Sequence, residues 1–459
     1  MNNNRKLSIK TLIGLSLLLG LAACTQEIAP LELEEIQVEV AENTAGPEEP
    51  TEAPEQPTAE LEPTEEEAME EPTEAPIATE KADAEEKVGE EMEENTDDSG
   101  IMTTDDRSEQ LKSLTSRWNT NWELRTVEYD SFLSGGPPRD GIPSIDDPVF
   151  ISPAEASDWL EGQEPVIAVE VNGDARAYPL QILTWHEIVN DTVGGRPIIV
   201  TFCPLCNAAI AFDRTLNGEP TEFGVSGLLR NSDMVMYDRQ TESLWQQFTG
   251  DAIVGDAVGT RLEFLSTWLI SFDDFQTQFP DGTVLSRETG HDRNYGRNPY
   301  SGYDTLGNNP FLFRGEIDGR LPAVERVVAI SAEDIGVDVA YPFSIISEVG
   351  AVNDKQGDLD IAVFHIGGAT SALGNSVIAR GEDVGSAAVF NPVVDGQKLT
   401  FSRADDKTFV DAETGSIWNI FGDAIDGPLA GSTLEPIVHG NHFWFSWAAF
   451  KPDTIIFGG

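Results

Sequence analysis

Between Val166 and Pro179 the chain reads VIAVEVNGDARAYP, with apolar and polar positions alternating on both sides of Asn172-Gly173. A period of two broken by Asn-Gly predicts two strands joined by a tight hairpin. The pattern then changes. In LQILTWHEIVND, Ile182, Leu183, Ile188 and Val189 are apolar at near-helical spacing, which predicts a short helix with Asp191 near its end. RPIIVTF predicts a buried strand, and AAIAFDRTL and TEFGVSG predict strands flanking the turn at Asn217-Gly218. A last short helix is expected from Phe272 to Phe279, where Pro280 stops it. Strands are many and helices few and short, so the expected class is α+β and strand-dominated.

The same succession of patterns occurs twice. VIAVEVNGDARAYPLQILTWHEIVND, from Val166, returns as VVAISAEDIGVDVAYPFSIISEVGAVND, from Val327. YDRQTESLWQQFTGDAIVG returns as VDAETGSIWNIFGDAIDG, and LEFLSTWLISFDDFQTQFPDGTVL as LEPIVHGNHFWFSWAAFKPDTII. Order is kept and only small gaps are needed, so an internally duplicated unit forming two similar packed halves is expected. The halves are residues 166–286 and 327–459, joined by a Gly-, Asn- and Tyr-rich connector over 287–326 and preceded by a lead-in segment over 107–165.

Composition changes the picture only before residue 107. Arg5, Lys6 and Lys10 precede an apolar run of signal-peptide length ending Leu21-Ala22-Ala23-Cys24, which resembles the lipobox of bacterial lipoproteins. That resemblance implies removal of residues 1–24 as a leader and acylation of Cys24, hence a membrane anchor and an extracytoplasmic location. Residues 25–106 hold 30 Asp and Glu against two Lys, rich in Pro and Thr with almost no aromatics, and are expected to form a disordered acidic tether. The whole chain carries a formal charge of −53, which argues against nucleic acid as a partner. Phosphate-cradling glycine loops, a Gly-x-Ser-x-Gly elbow and HExxH are all missing from the sequence, against the common nucleotide, esterase and zinc-protease chemistries.

Comparison of the halves separates scaffold from candidate site. Both keep Tyr-Pro (Tyr178, Tyr341), Asn-Asp (Asn190, Asn353), Ser-x-Trp (Trp245, Trp418) and Gly-Asp-Ala (Gly250, Gly422), which reads as architecture. Only the first has His186, Cys203, Cys206, Tyr237, Arg239 and Gln247. The matching places in the second are read as Val349, His365, Gly368, Val410, Ala412 and Ile420. The CPLC motif lies between two strands, not at a helix start, so a β-knuckle offering two thiolates to a metal fits better than a thioredoxin-like site. Pro204 stiffens that turn.

Three readings of the cysteines stay open: a metal site, a disulfide or thiol-redox pair, and inert buried thiols. A metal site needs further ligands, and His186 is expected to point at the thiols; copper and zinc are both open as the ion. Met234 and Met236 share a strand face and suit copper(I), although methionine in a strand more commonly fills core. Tyr237 and Arg239, with Gln247, are candidates for a ligand site, as are Arg293, Tyr295 and Tyr300 of the connector, which suit a cleft between the halves. HFWFSWAAF, from His442, is apolar at nearly every position and is expected in the core.

Three long stretches, FCPLCNAAIAFDR, NSDMVMYDRQTESLWQQFTGDAI and RNYGRNPYSGY, resemble the extracytoplasmic proteins that share domain of unknown function 3179. The resemblance runs from about Val166 to the C-terminus. It implies a fold and a cell-envelope setting and brings no established activity.

Overall fold

A computed structural model describes residues 100–332 and 335–459. The leader, Cys24 and nearly all of the expected tether lie outside the described residues. Packed chain begins slightly before the change in composition: Met102 is buried and exchanges main-chain hydrogen bonds with Arg125. The lead-in adds a strand, Phe132–Ser134, to the edge of the first half, and Trp122, Tyr129 and Phe132 pack around Tyr237 and Val254.

The first half runs β1 (Pro165–Val171), β2 (Asp174–Pro179), α1 (Leu180–His186), β3 (Ile188–Val193), β4 (Arg196–Cys203) and β5 (Ala208–Asp213). It continues through β6 (Phe223–Arg230), β7 (Asp233–Asp238), β8 (Leu244–Gln246), β9 (Ala252–Val254), β10 (Phe264–Leu265), β11 (Trp268–Ser271), α2 (Phe272–Gln278) and β12 (Thr283–Leu285). The predicted Asn172-Gly173 turn is present, with both residues at positive φ. The expected helix is shorter than its apolar spacing suggested. It ends at His186, Glu187 turns the chain at φ 59°, and Ile188–Val193 is a strand. Ile188, Val189, Thr192 and Val193 are β-branched, and their stiff side chains favour the pleated surface over a helix.

The second half runs β13 (Arg326–Ala332), β14 (Val337–Pro342), α3 (Phe343–Val349), β15 (Ala351–Gln356), β16 (Leu359–Ile366) and β17 (Ser386–Asn391). It closes with β18 (Phe401–Arg403), β19 (Phe409–Asp411), β20 (Ile417–Trp418), β21 (Ala424–Asp426), β22 (Glu435–Pro436), β23 (Gly440–Phe443), α4 (Trp444–Phe450) and β24 (Ile455–Ile456).

Strand for strand, the halves are ordered alike. Sheet β11-β1-β2-β12 matches β23-β13-β14-β24, each with its one parallel pair in the same place. Sheet β10-β5-β4-β3 matches β22-β17-β16-β15, and β6-β7-β8-β9 matches β18-β19-β20-β21. Side-chain bonds repeat too. The Tyr178 hydroxyl donates to Asp191 at 2.6 Å and that of Tyr341 to Asp354 at 3.0 Å. Asn190 brackets the main chain of Phe223 as Asn353 brackets that of Phe401. The Trp245 and Trp418 indoles donate to Asp238 and Asp411, both at 2.9 Å.

Each half sets one late strand against the other half: β11 packs on β17, and β23 packs on β5. Two apolar cores result, each built from both halves. One surrounds β4 and β5 with Phe443 and Trp444, and the other sets Trp268 and Phe272 against Phe364 and Trp418. HFWFSWAAF lies in the first of these cores, with Trp444 fully buried, as its apolar run predicted.

Candidate metal centre

The knuckle is built by β4 and β5. Cys203 closes β4, residues 204–207 turn, and Ala208 opens β5. The turn is closed by the Cys206 N–H on the Cys203 carbonyl at 3.2 Å, and Asn207 takes positive φ. Neighbours hold it from three sides. The Phe443 N–H donates to the Cys206 carbonyl at 2.9 Å, the Tyr303 hydroxyl donates to the Leu205 carbonyl at 2.9 Å, and Gln247 bonds Thr201 and the Ala208 carbonyl below. Both thiols are free and buried.

The third member of the cluster is Asp233, not a histidine. The hairpin between β6 and β7 turns through Asn231 and Ser232, both in the left-handed region, and delivers Asp233 to the knuckle. The two sulfurs and an Asp233 carboxylate oxygen all lie within 4.8 Å of one another. Asp233 Oδ2 accepts from Gln246 Nε2 at 2.6 Å and from the Phe248 N–H at 3.0 Å. Among the described residues, no nitrogen or oxygen donor reaches its buried Oδ1.

A second carboxylate sits nearby. Glu187, at the end of α1, is buried, and its side chain is close enough to Asp233 for the two to raise the cost of ionisation. The corresponding position after α3 is Gly350 at φ 78°, the residue type that this conformation favours. A glutamate held at φ 59° in the same corner carries backbone strain that the second half avoids.

These groups are all acids, and burial holds their protons on. Burial raises the Cys203 thiol and raises Cys206 further, with Asp233 and the other thiol adding to it. Burial pushes Asp233 up to about 7 and Glu187 up to about 8. The sulfurs and carboxylates therefore share a pocket that disfavours negative charge unless a cation is supplied.

His186 is elsewhere in purpose. Its Nδ1 bonds the Pro143 carbonyl and its Nε2 the Tyr295 hydroxyl, both at 2.7 Å. Both nitrogens are occupied, so the structure removes His186 from the expected ligand set. Burial also lowers it to about 4, so the ring is neutral. Tyr295 thus meets His186, as a hydrogen-bond partner. Tyr300 packs beside Glu187 and Cys203, which, with burial, push its hydroxyl up. Tyr237 donates to Asp140 at 2.7 Å, and Arg239 pairs with Asp146 at 2.8 Å. Both tie the lead-in to the first half. Among the described residues, Arg293 bonds the neighbouring Asp292 carbonyl. None of Tyr237, Arg239, Gln247, Arg293, Tyr295 and Tyr300 lines either of the two cavities described for the protein. Met234 and Met236 are core residues beside Phe223 and Trp245.

Strand register also corrects the match between halves. Cys203 pairs with Ala208 as Ile366 pairs with Ser386, so Ile366 stands opposite Cys203 and His365 opposite Phe202. In place of residues 204–207 the second half has a long loop, 367–385, and Gly368 has no knuckle to belong to. The sequence comparison slipped because that insertion falls at the site itself.

A strand-rich scaffold with a buried Cys-Cys-Asp cluster at one knuckle is the class that fold and site define. The chain belongs to the family described as protein of unknown function DUF3179, which matches residues 139–454. No curated protein and no solved structure matches it.

Proposed function

We propose that Cys203, Cys206 and Asp233 hold a thiophilic divalent cation, and that the protein is a metal-binding module of the cell envelope, anchored through Cys24. The observation that carries this is the cluster itself: two buried thiols and an Asp233 carboxylate oxygen all lie within 4.8 Å of one another, and among the described residues no nitrogen or oxygen donor reaches the buried Oδ1. Thiols are weak donors, and a cation that replaces their protons pairs this carboxylate more strongly. Two sulfurs and a carboxylate oxygen suit zinc, which takes both donor types. Copper is the second choice, because the carboxylate is a harder donor than copper(I) favours. Binding expels the thiol protons, and Glu187 adds negative charge next to the ion when it ionises.

A thiol-redox pair is the alternative, favoured only by the closeness of the two sulfurs. Exchange with another protein needs an accessible thiolate. Here both sulfurs are buried, raised by burial, and covered by Tyr303 and the second half.

The test is metal analysis with thiol counting on full-length protein produced in the periplasm. One zinc or copper per chain, lost in Cys203→Ser and weakened in Asp233→Asn, supports the metal reading. A metal-free protein with both cysteines oxidised, and indifferent to Asp233→Asn, supports the redox reading instead.

A further inference from the structure

Strands β11 and β23 form two matching contacts between the halves, and one of them borders a cavity. Trp268 pairs with Ala168 in the first half as Gly440 pairs with Ala329 in the second. Likewise Ile270 pairs with Val166 as His442 pairs with Val327. At the first contact, the Trp268 indole fills the space against Phe421, ring centres 5.7 Å apart. At the second, Phe248 occupies the place of Phe421, counted from Trp245 and Trp418, and meets the His442 imidazole in place of an indole. A cavity of about 410 Å³ opens there, lined by Ile210, Phe248, Phe264, Leu265, His442 and Trp447 among others.

His442 is one of the polar groups in that wall, with Arg261, Glu263, Thr267, His439 and Lys451. Its ring lies 4.5 Å from Phe248 and stacks on Trp447 at 5.5 Å. The residue is only 3% exposed, and Nδ1 is buried with no hydrogen-bond partner. Glycine at 440 is what lets the ring sit there: a Cβ on Gly440 would come within 2.2 Å of His442 Nε2. The first half shows that Trp and Ile suit the same two strand positions. Gly and His together exchange a filled contact for a cavity with an unsatisfied imidazole.

We propose that this cavity binds a flat, uncharged aromatic molecule of phenol or indole size, whose O–H or N–H bonds the His442 imidazole. A single aromatic ring suits a cavity of that volume, whose lining includes Phe248, Phe264 and Trp447. Burial pushes His442 down to about 3, so the imidazole is neutral and one nitrogen accepts a proton donor. The site is separate from the metal centre and does not depend on it.

The experiment is calorimetric titration of the full-length protein with phenol, indole and toluene. Phenol and indole are expected to bind, and toluene, lacking the donor, about five- to tenfold more weakly than phenol. His442→Ile should erase the difference between phenol and toluene. Gly440→Trp with His442→Ile, which recreates the pair Trp268 and Ile270, should abolish binding of all three and keep or raise the melting temperature. If that double variant fails to fold, Ile210→Phe narrows the same cavity from the first half and should weaken all three. Absence of binding to the unaltered protein at millimolar probe overturns the proposal. So does binding that survives the cavity-filling variants.

Discussion

The two halves agree where they are braced and differ where the first carries the cysteine knuckle. At the base of each, a buried aspartate gathers the same donors. Asp238 takes the Thr241 N–H and hydroxyl and the Trp245 indole, and Asp411 takes the Thr414 N–H and hydroxyl and the Trp418 indole. At the tip, β4 and β5 are joined by a short cysteine knuckle, but β16 and β17 by the loop 367–385. A scaffold that repeats its strand order and bonds this closely makes the differences the informative part. Cys203 stands against Ile366, Glu187 against Gly350, and His442 against Ile270. In each pair the half with the ordinary residue shows what the scaffold alone would accept.

The largest effect should come from breaking what the halves share. Asp238→Ala and Asp411→Ala each leave buried donors unpaired and should each cost about 3 kcal/mol or more, measured by denaturant unfolding. Similar losses sharpen the comparison. A large loss at one and none at the other would break it.

Next comes the difference between the tips. Cys203→Ser should weaken zinc binding by roughly 100-fold in competition with a chelating dye, whereas Ile366→Ser in the second half should leave it unchanged. Equal effects would mean that the ion is not held at the knuckle.

The contrast in buried acids predicts a pH dependence. Asp233 and Glu187 have folded values raised to about 7 and about 8, from ordinary values of 3.8 and 4.5. Between those limits the folded state binds more protons than the unfolded one, so these groups make stability fall as pH rises. Metal-stripped protein should therefore melt lower at pH 8 than at pH 5, and zinc should recover most at pH 8, where fewer protons compete for the ligands. Asp233→Asn should flatten the slope in stripped protein. A slope unchanged by that substitution would remove Asp233 as its source.

Much of the scaffold was legible because strand alternation and Asn-Gly turns are local signals. The knuckle was legible for a similar reason, since Cys203 and Cys206 stand between two readable strands. Asp233 was not. It lies thirty residues along the chain, is one of 81 acidic residues, and reaches the thiols only through the pairing of β6 with β7. His186 attracted attention because imidazole is a common ligand, but nothing local disclosed that Pro143 and Tyr295 would take both nitrogens. Glu187 was hidden by the Ile188-Val189 pair, whose spacing fits a helix as readily as a strand. Only the positive φ at 187 ends the helix and turns that carboxylate into the site.

That residue gives the smallest and most discriminating prediction. Glu187→Gly copies Gly350 and makes two changes at once. It relieves a left-handed conformation in a non-glycine residue, worth about 1 kcal/mol, and it removes a carboxylic acid from a buried place. If Glu187 only ends α1, the variant should be more stable by about 1 kcal/mol, with zinc affinity unchanged. Since Glu187 lies next to Asp233 and Cys203, we expect the gain in stability together with a loss of roughly threefold to tenfold in zinc affinity at pH 8, where its carboxyl ionises beside the ion. At pH 6, where the acid is protonated in the stripped protein and must lose that proton before it can help hold the ion, the difference in affinity should shrink. Thermal melting of stripped protein and dye competition at the two pH values separate these effects. A glycine variant as stable as the parent, with the same affinity at both pH values, would return position 187 to the scaffold and leave the site to Cys203, Cys206 and Asp233.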